Sequence, residues 1–309
     1  MTVDTAPPQW LTALELTLLG AIWGGSFLFM RVAAPSFGAL ALVEVRIVLG
    51  ALVLLPFLWR ARARFGVERW GRLALIAALN SAFPFTLFAW GAERAPAGVG
   101  AIANSLAALW TVLVAFVLYR ERIGWLRGLA MGIGFVGVVV LMSDRTRGAD
   151  VAPAAVAGAL ASLCYGLSSN FTRHWLADLP PVAAVAATML CAALMLAPLA
   201  WTHWPAAVPP RAAWLSAIAL GVLCTGVAYA VFFRLIARIG PTRATTSTYL
   251  VPLFGVLWGW LVLGERPSML MLLAGGLILG GVIVSQREGR RAEVPSRAAT
   301  SETHLGGET

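Results

Sequence analysis

No lysine occurs anywhere in the 309 residues. Its absence removes a Walker-type phosphate loop, a Schiff base and a Ser–Lys dyad, each of which needs that amine. Charge of either sign is scarce: 12% of residues are charged and 60% hydrophobic, against about 25% charged in soluble domains. Two soluble domains of this length would need charged exteriors that these residues cannot cover, so the apolar surface must face lipid. Cysteine is rare too. Cys164, Cys191 and Cys224 lie inside apolar runs and form no C-x-x-C pair, which argues against a disulfide framework or a zinc site and for small core residues. The histidines His174, His203 and His304 fall in loops or the tail, no Asp falls inside an apolar run, and neither H-E-x-x-H nor G-x-S-x-G occurs. A membrane enzyme therefore has no catalytic motif to stand on. No cofactor motif is present.

What the chain has in plenty is long apolar runs, at 12–30, 37–58, 73–91, 97–118, 125–142, 153–171, 181–200, 213–234, 245–263 and 268–285. Each approaches the roughly 20 residues a membrane-spanning helix needs, and the gaps carry Arg, Pro or Gly. The reading is ten transmembrane helices. The first run is kept as a helix, because residues 1–11 carry no basic residue and the run exceeds a signal-peptide core. Segment 286–309, rich in Arg, Glu, Ser, Thr and Gly, reads as a disordered tail.

The basic excess, net +9, would suggest nucleic acid if it formed one surface. With the N-terminus placed inside, 16 Arg collect on the cytoplasmic side and six on the other, with Arg46 left within a helix. Retention of positive loops thus predicts both termini in the cytoplasm. The Arg distribution is explained by topology and anionic lipid rather than nucleic acid.

The second half repeats the first. At an offset of 142, Trp23, Gly24, Ser26, Phe29 and Arg31 fall on Tyr165, Gly166, Ser168, Phe171 and Arg173. At an offset of 144, Leu106, Leu109, Glu121, Arg122, Gly132 and Gly137 fall on Leu250, Leu253, Glu265, Arg266, Gly276 and Gly281. The expected fold is an all-α polytopic membrane protein of ten transmembrane helices, built as two inverted five-helix repeats around a central cavity. Five is odd, so the second copy enters from the opposite side, a pattern found in secondary transporters. The organisation is a short cytoplasmic N-terminus (1–11), a first repeat (12–142), a connecting loop (143–152), a second repeat (153–285) and the tail (286–309).

In Trp23-Gly24-Gly25-Ser26-Phe27, Arg46, Glu121-Arg122, and Tyr249-Leu250-Val251-Pro252 through Gly264-Glu265-Arg266, the chain resembles the EamA-type branch of the drug/metabolite transporter superfamily. The resemblance runs from about residue 12 to 285. It implies ten helices around a cavity and transport, often export, of amino acids, related metabolites or drugs across the plasma (inner) membrane. The substrate is not named by it, and the oligomeric state stays open. One departure is Ala108, which stands where the second copy has Pro252, so the two copies should bend differently.

Ionisable residues deep in a bilayer cost at least a few kcal/mol each and mark a pathway or a buried pair. Glu44 and Arg46 qualify. Separated by two positions, they do not face each other. Arg46 is a contact for an anionic group such as a substrate carboxylate, or a brace between helices. Glu44 is an acid for proton coupling, or part of a polar network that locks packing. Glu15 reads as an interfacial snorkeller.

Uncharged polar residues form a second set: Asn80 near Pro84, Asn104, and Thr248 and Tyr249 before Pro252, whose missing N–H frees the carbonyl of Thr248. Those hydroxyls have the alternative of bonding their own helix. Trp23 and Tyr165, with Ser26 and Ser168, recur beside glycines at equivalent positions and are expected to line the cavity, the alternative for the two aromatics being helix packing through those small residues; Tyr229 is added as a further aromatic. Export of amino acids or related metabolites is preferred to multidrug efflux because Arg46 repels organic cations unless it is neutralised, as Glu44 could do. A scramblase or receptor has no specific support.

Overall fold

A computed structural model describes residues 9–144 and 150–302, with side chains to 288. Among these residues there are ten spans long and apolar enough to cross a membrane: α1 (Gln9–Phe37), α2 (Ala39–Arg64), α3 (Val67–Arg94), α4 (Ala97–Tyr119), α5 (Trp125–Met142), α6 (Val151–Trp175), α7 (Pro181–Thr202), α8 (Arg211–Ile239), α9 (Pro241–Leu263) and Met269–Glu288, the first part of helix α10 (Met269–Glu302). No strand occurs among them. The protein is a multi-pass membrane protein, since in a bilayer each backbone polar group must be satisfied within its own helix.

α10 remains helical through most of the segment read from sequence as a disordered tail. Ala, Arg and Glu favour helix even where they provide no core. Residues 1–8, 145–149 and 303–309, which hold parts of the expected N-terminus, connecting loop and tail, lie outside the described residues.

Helices meet in pairs that exchange when the two five-helix copies are swapped. α1 packs on α9 and α8, as α6 packs on α4 and α3; α2 packs on α8, as α7 packs on α3; α2 meets α7, and α5 meets α10. Small residues allow the contacts. Ala33, Ala34, Ala41, Ala89, Ala187 and Ala217 are fully buried, as expected where lipid supplies no hydrophobic force and helices associate by close packing. Gly24 lies so near α9 that an added Cβ would sit 2.6 Å from the Cβ of Phe254. Gly166 makes the equivalent approach to α4, 2.8 Å from the Cβ of Trp110.

Four interruptions shape the centre. α3 and α8 each pass through a π-helical stretch, Ala78–Ala82 and Ala219–Val227. α4 breaks at Ser105, and α9 is a 3₁₀ helix over Thr245–Leu250 before Pro252. Both copies are therefore broken at equivalent points, the one with proline over a longer stretch.

Candidate functional site

The interruptions aim polar side chains inward. The π-helical turn of α3 carries Asn80, and that of α8 carries Thr225, whose hydroxyl donates to the carbonyl of Leu220 five residues back at 2.8 Å. Such turns leave backbone and side-chain groups free for a ligand or a neighbour. Thr225 in turn accepts a 3.0 Å bond from Nε of Arg46 on α2.

These groups surround a cavity of about 260 Å³ lined by Trp23, Ser26, Arg46, Asn80, Asn104, Tyr165, Tyr229 and Thr248, together with Phe85, Phe88, Ser169, Cys224 and Phe232. The aromatic rings are locked against each other. Trp23 meets Tyr229 and Phe232 edge-on, and Phe88 stacks on Tyr165. A second cavity of about 720 Å³ shares Asn80, Tyr229 and Phe232 with the first and continues past Ser168 to Arg173, Pro241 and Thr245 at the helix ends. The central site is thereby joined to one face of the molecule.

Four sequence candidates lie outside the central cavity. Ser168 lines the outer one and donates to Asn80 at 3.3 Å. Glu44, two positions from Arg46 and so on another face of α2, does not line either cavity; its Oε2 is buried without a hydrogen-bond partner. Tyr249 bonds the side chain of Gln286 on α10, because adjacent residues of a 3₁₀ turn point about 120° apart and Thr248 holds the inward position. Pro252 is buried at the start of the α-helical part of α9. The hydroxyls of Thr245, Thr246, Ser247 and Thr248 all donate to carbonyls three residues earlier, so this run mainly satisfies its own backbone. Sequence reasoning missed Thr225, Ser169, Phe85, Phe88 and Phe232, and read Cys224 as a core residue although it lines the cavity. Thr225 and Ser169 had a signal, as hydroxyls amid apolar runs.

The opposite end is shut. Arg31 pairs with Glu265 at 2.9 Å and donates to the carbonyl of Ala92 at 2.8 Å, while Glu265 accepts the Ala97 N–H at 2.8 Å. Phe37 is buried there, edge-on to Trp214. The equivalent pair at the open end, Arg173 with Glu121, is also formed.

Residues 10–143 and 152–286 each match the model of the EamA-like transporter family. Among relatives, a probable terminal-alkyne amino-acid exporter of Streptantibioticus cattleyicolor is 28% identical, the match covering 91% of this chain and 95% of that protein. A probable amino-acid metabolite efflux pump of Escherichia coli (strain K12) is 24% identical, over 87% and 92%. A protein of known crystal structure, 22% identical, shares the fold with a TM-score of 0.60 over 91% of this chain and 99% of that one.

Proposed function

This chain belongs to the EamA-like transporter family, and on that premise we propose that it is a secondary transporter exporting amino acids or related small metabolites across the plasma membrane by alternating access. The observation that carries this reading is the polar and aromatic central cavity, reached from one end of the ten-helix bundle and closed at the other by the Arg31–Glu265 pair. The names of the two relatives point to the same cargo class.

Five spans per copy, an odd number, support opposite orientations of the two copies. The Arg count supports cytoplasmic termini; in that orientation the Arg173 end faces the cytoplasm and loads cargo from it. Glu44 stands outside both cavities, so a proton on it does not meet cargo directly. Exchange or downhill flow needs no such group.

The test is counterflow in proteoliposomes: vesicles preloaded with an unlabelled amino-acid mixture should accumulate labelled amino acid unchanged and in exchange. Chemical conversion of the label, or the absence of accumulation for any amino acid or related acid, contradicts the proposal.

A further inference from the structure

The central cavity contains one formal charge. Among its lining residues Arg46 is the single ionised side chain, and neither Asp nor Glu joins it. Arg46 is only 7% exposed, so its charge is largely withdrawn from water. Its Nε is used on Thr225, one Nη lies 3.8 Å from the sulfur of Met30, and the guanidinium stands 3.7 Å from the ring centre of Phe85. None of these partners is an anion. A guanidinium has five N–H donors in a fixed fork, and most of this fork is unspent.

A buried charge without a counter-ion costs several kcal/mol, and substitution by an apolar residue of similar volume would relieve that cost. A brace alone does not call for a cation, because Thr225, Met30 and Phe85 would pack as well on an uncharged side chain. An anion delivered by the cargo would complete the site. Among small anions the planar carboxylate matches the fork in shape, accepting two parallel bonds.

The remainder of the wall narrows the cargo further. Much of the lining is aromatic, chiefly Trp23, Phe88, Tyr165 and Tyr229, which suits an apolar or aromatic side chain. Asn80 and Asn104 offer amide oxygens, and together with the ring faces they accommodate one ammonium without a full counter-charge. A second carboxylate would find no second cation. A basic side chain would meet Arg46 with no acid to offset it.

Resting on the proposal that cargo crosses through this cavity, we infer that the site selects small monocarboxylates and zwitterionic amino acids with an apolar side chain, held through Arg46, and rejects compounds of net positive charge.

The test is competition against labelled leucine counterflow in proteoliposomes holding the full chain, with phenylalanine as the alternative label. Leucine, phenylalanine and 4-methyl-2-oxopentanoate should compete. Leucinamide, lysine and glutamate should be weaker by about tenfold or more, the discrimination expected when a charge-assisted bond is lost or a charge is left unpaired. R46K keeps the charge but loses the planar fork, so KM should rise with little change in the maximal rate. R46Q should in addition erase the preference for leucine over leucinamide, which a purely structural brace would not do. R46K also covers the case in which R46Q fails to purify as a monodisperse species. Equal competition by leucine, leucinamide and lysine overturns the inference while leaving the transport reading intact. Absence of counterflow for both labels and for every amino acid tried removes the transport reading and this inference with it.

Discussion

At one end of the protein Arg31 and Glu265 are 28% and 17% exposed and tie three helix ends together; at the other, the equivalent Arg173 and Glu121 are 54% and 48% exposed, with the cavity running out beside them. The same two residue types, at equivalent positions of two copies, thus serve a shut end and an open one. Part of the difference is conformational. Part is written in the chain. The Ala97 N–H that binds Glu265 has as its counterpart, 144 residues on, Pro241, which has no N–H to give Glu121. When the Arg173 end closes, it must do so with one charge-assisted bond fewer. The pair of gates is therefore biased toward the arrangement seen here.

E265Q should have the largest effect. Neutralising one partner of a mostly buried pair, discounted for the exposure that remains, should cost the shut end roughly 2–3 kcal/mol and change its opening equilibrium by about 30- to 160-fold. Labelling of a cysteine placed at Ala33, with the native cysteines replaced, should accelerate accordingly. E121Q at the exposed end should cost about 0–1 kcal/mol. An E121Q effect on labelling at Ser169 that matches or exceeds that of E265Q at Ala33 would show that exposure does not set the worth of these pairs.

P241A acts at the opposite end. Restoring the N–H should favour closure of the Arg173 end by about 1.5 kcal/mol, the lower value for a bond to a charged group, and slow labelling of a cysteine at Ser169 about 12-fold. An unchanged rate would mean that the missing donor is not what holds this end open.

The smallest expected effect concerns the residues before the two glutamates. Gly264 has φ of +68° and its counterpart Arg120 has φ of +56°. An L side chain in this left-handed region is strained, whereas glycine is not. R120G should raise stability by about 0.5–1 kcal/mol, seen as a higher midpoint in a thermal unfolding scan in detergent, with transport unchanged. A lower midpoint would show that the Arg120 side chain makes contacts worth more than the strain.

How much of this could be read from the chain depends on what each residue faces. The ten spans were legible because lipid demands length and apolarity from every one of them. The inward faces were not, since lipid and helix partners are equally apolar and leave little amphipathic pattern to follow. Arg46 stood out because its charge has a cost wherever it points. Tyr249 and Thr248 looked equivalent in sequence, and only the 3₁₀ turn separates them, sending one toward Gln286 and the other into the cavity. The π-helical stretches that present Asn80 and Thr225 have no composition signal beyond nearby Pro84 in α3. The exchange of ion pairs between copies was implicit in the Arg and Glu offsets, but which pair is shut follows from packing at Phe37 and Ala92 that no spacing reveals.

Gly24 and Gly166 add a matter of timing. Each seats a helix of one copy against a helix of the other, and the seat for Gly24 is Phe254, almost at the far end of the chain. At about 5–20 residues per second of synthesis, α1 spends roughly 10–50 s in the membrane before α9 exists. Its groove must stay filled by lipid or neighbouring helices through that interval. α1, made well before its partner α9, is thus finished only after α9 arrives.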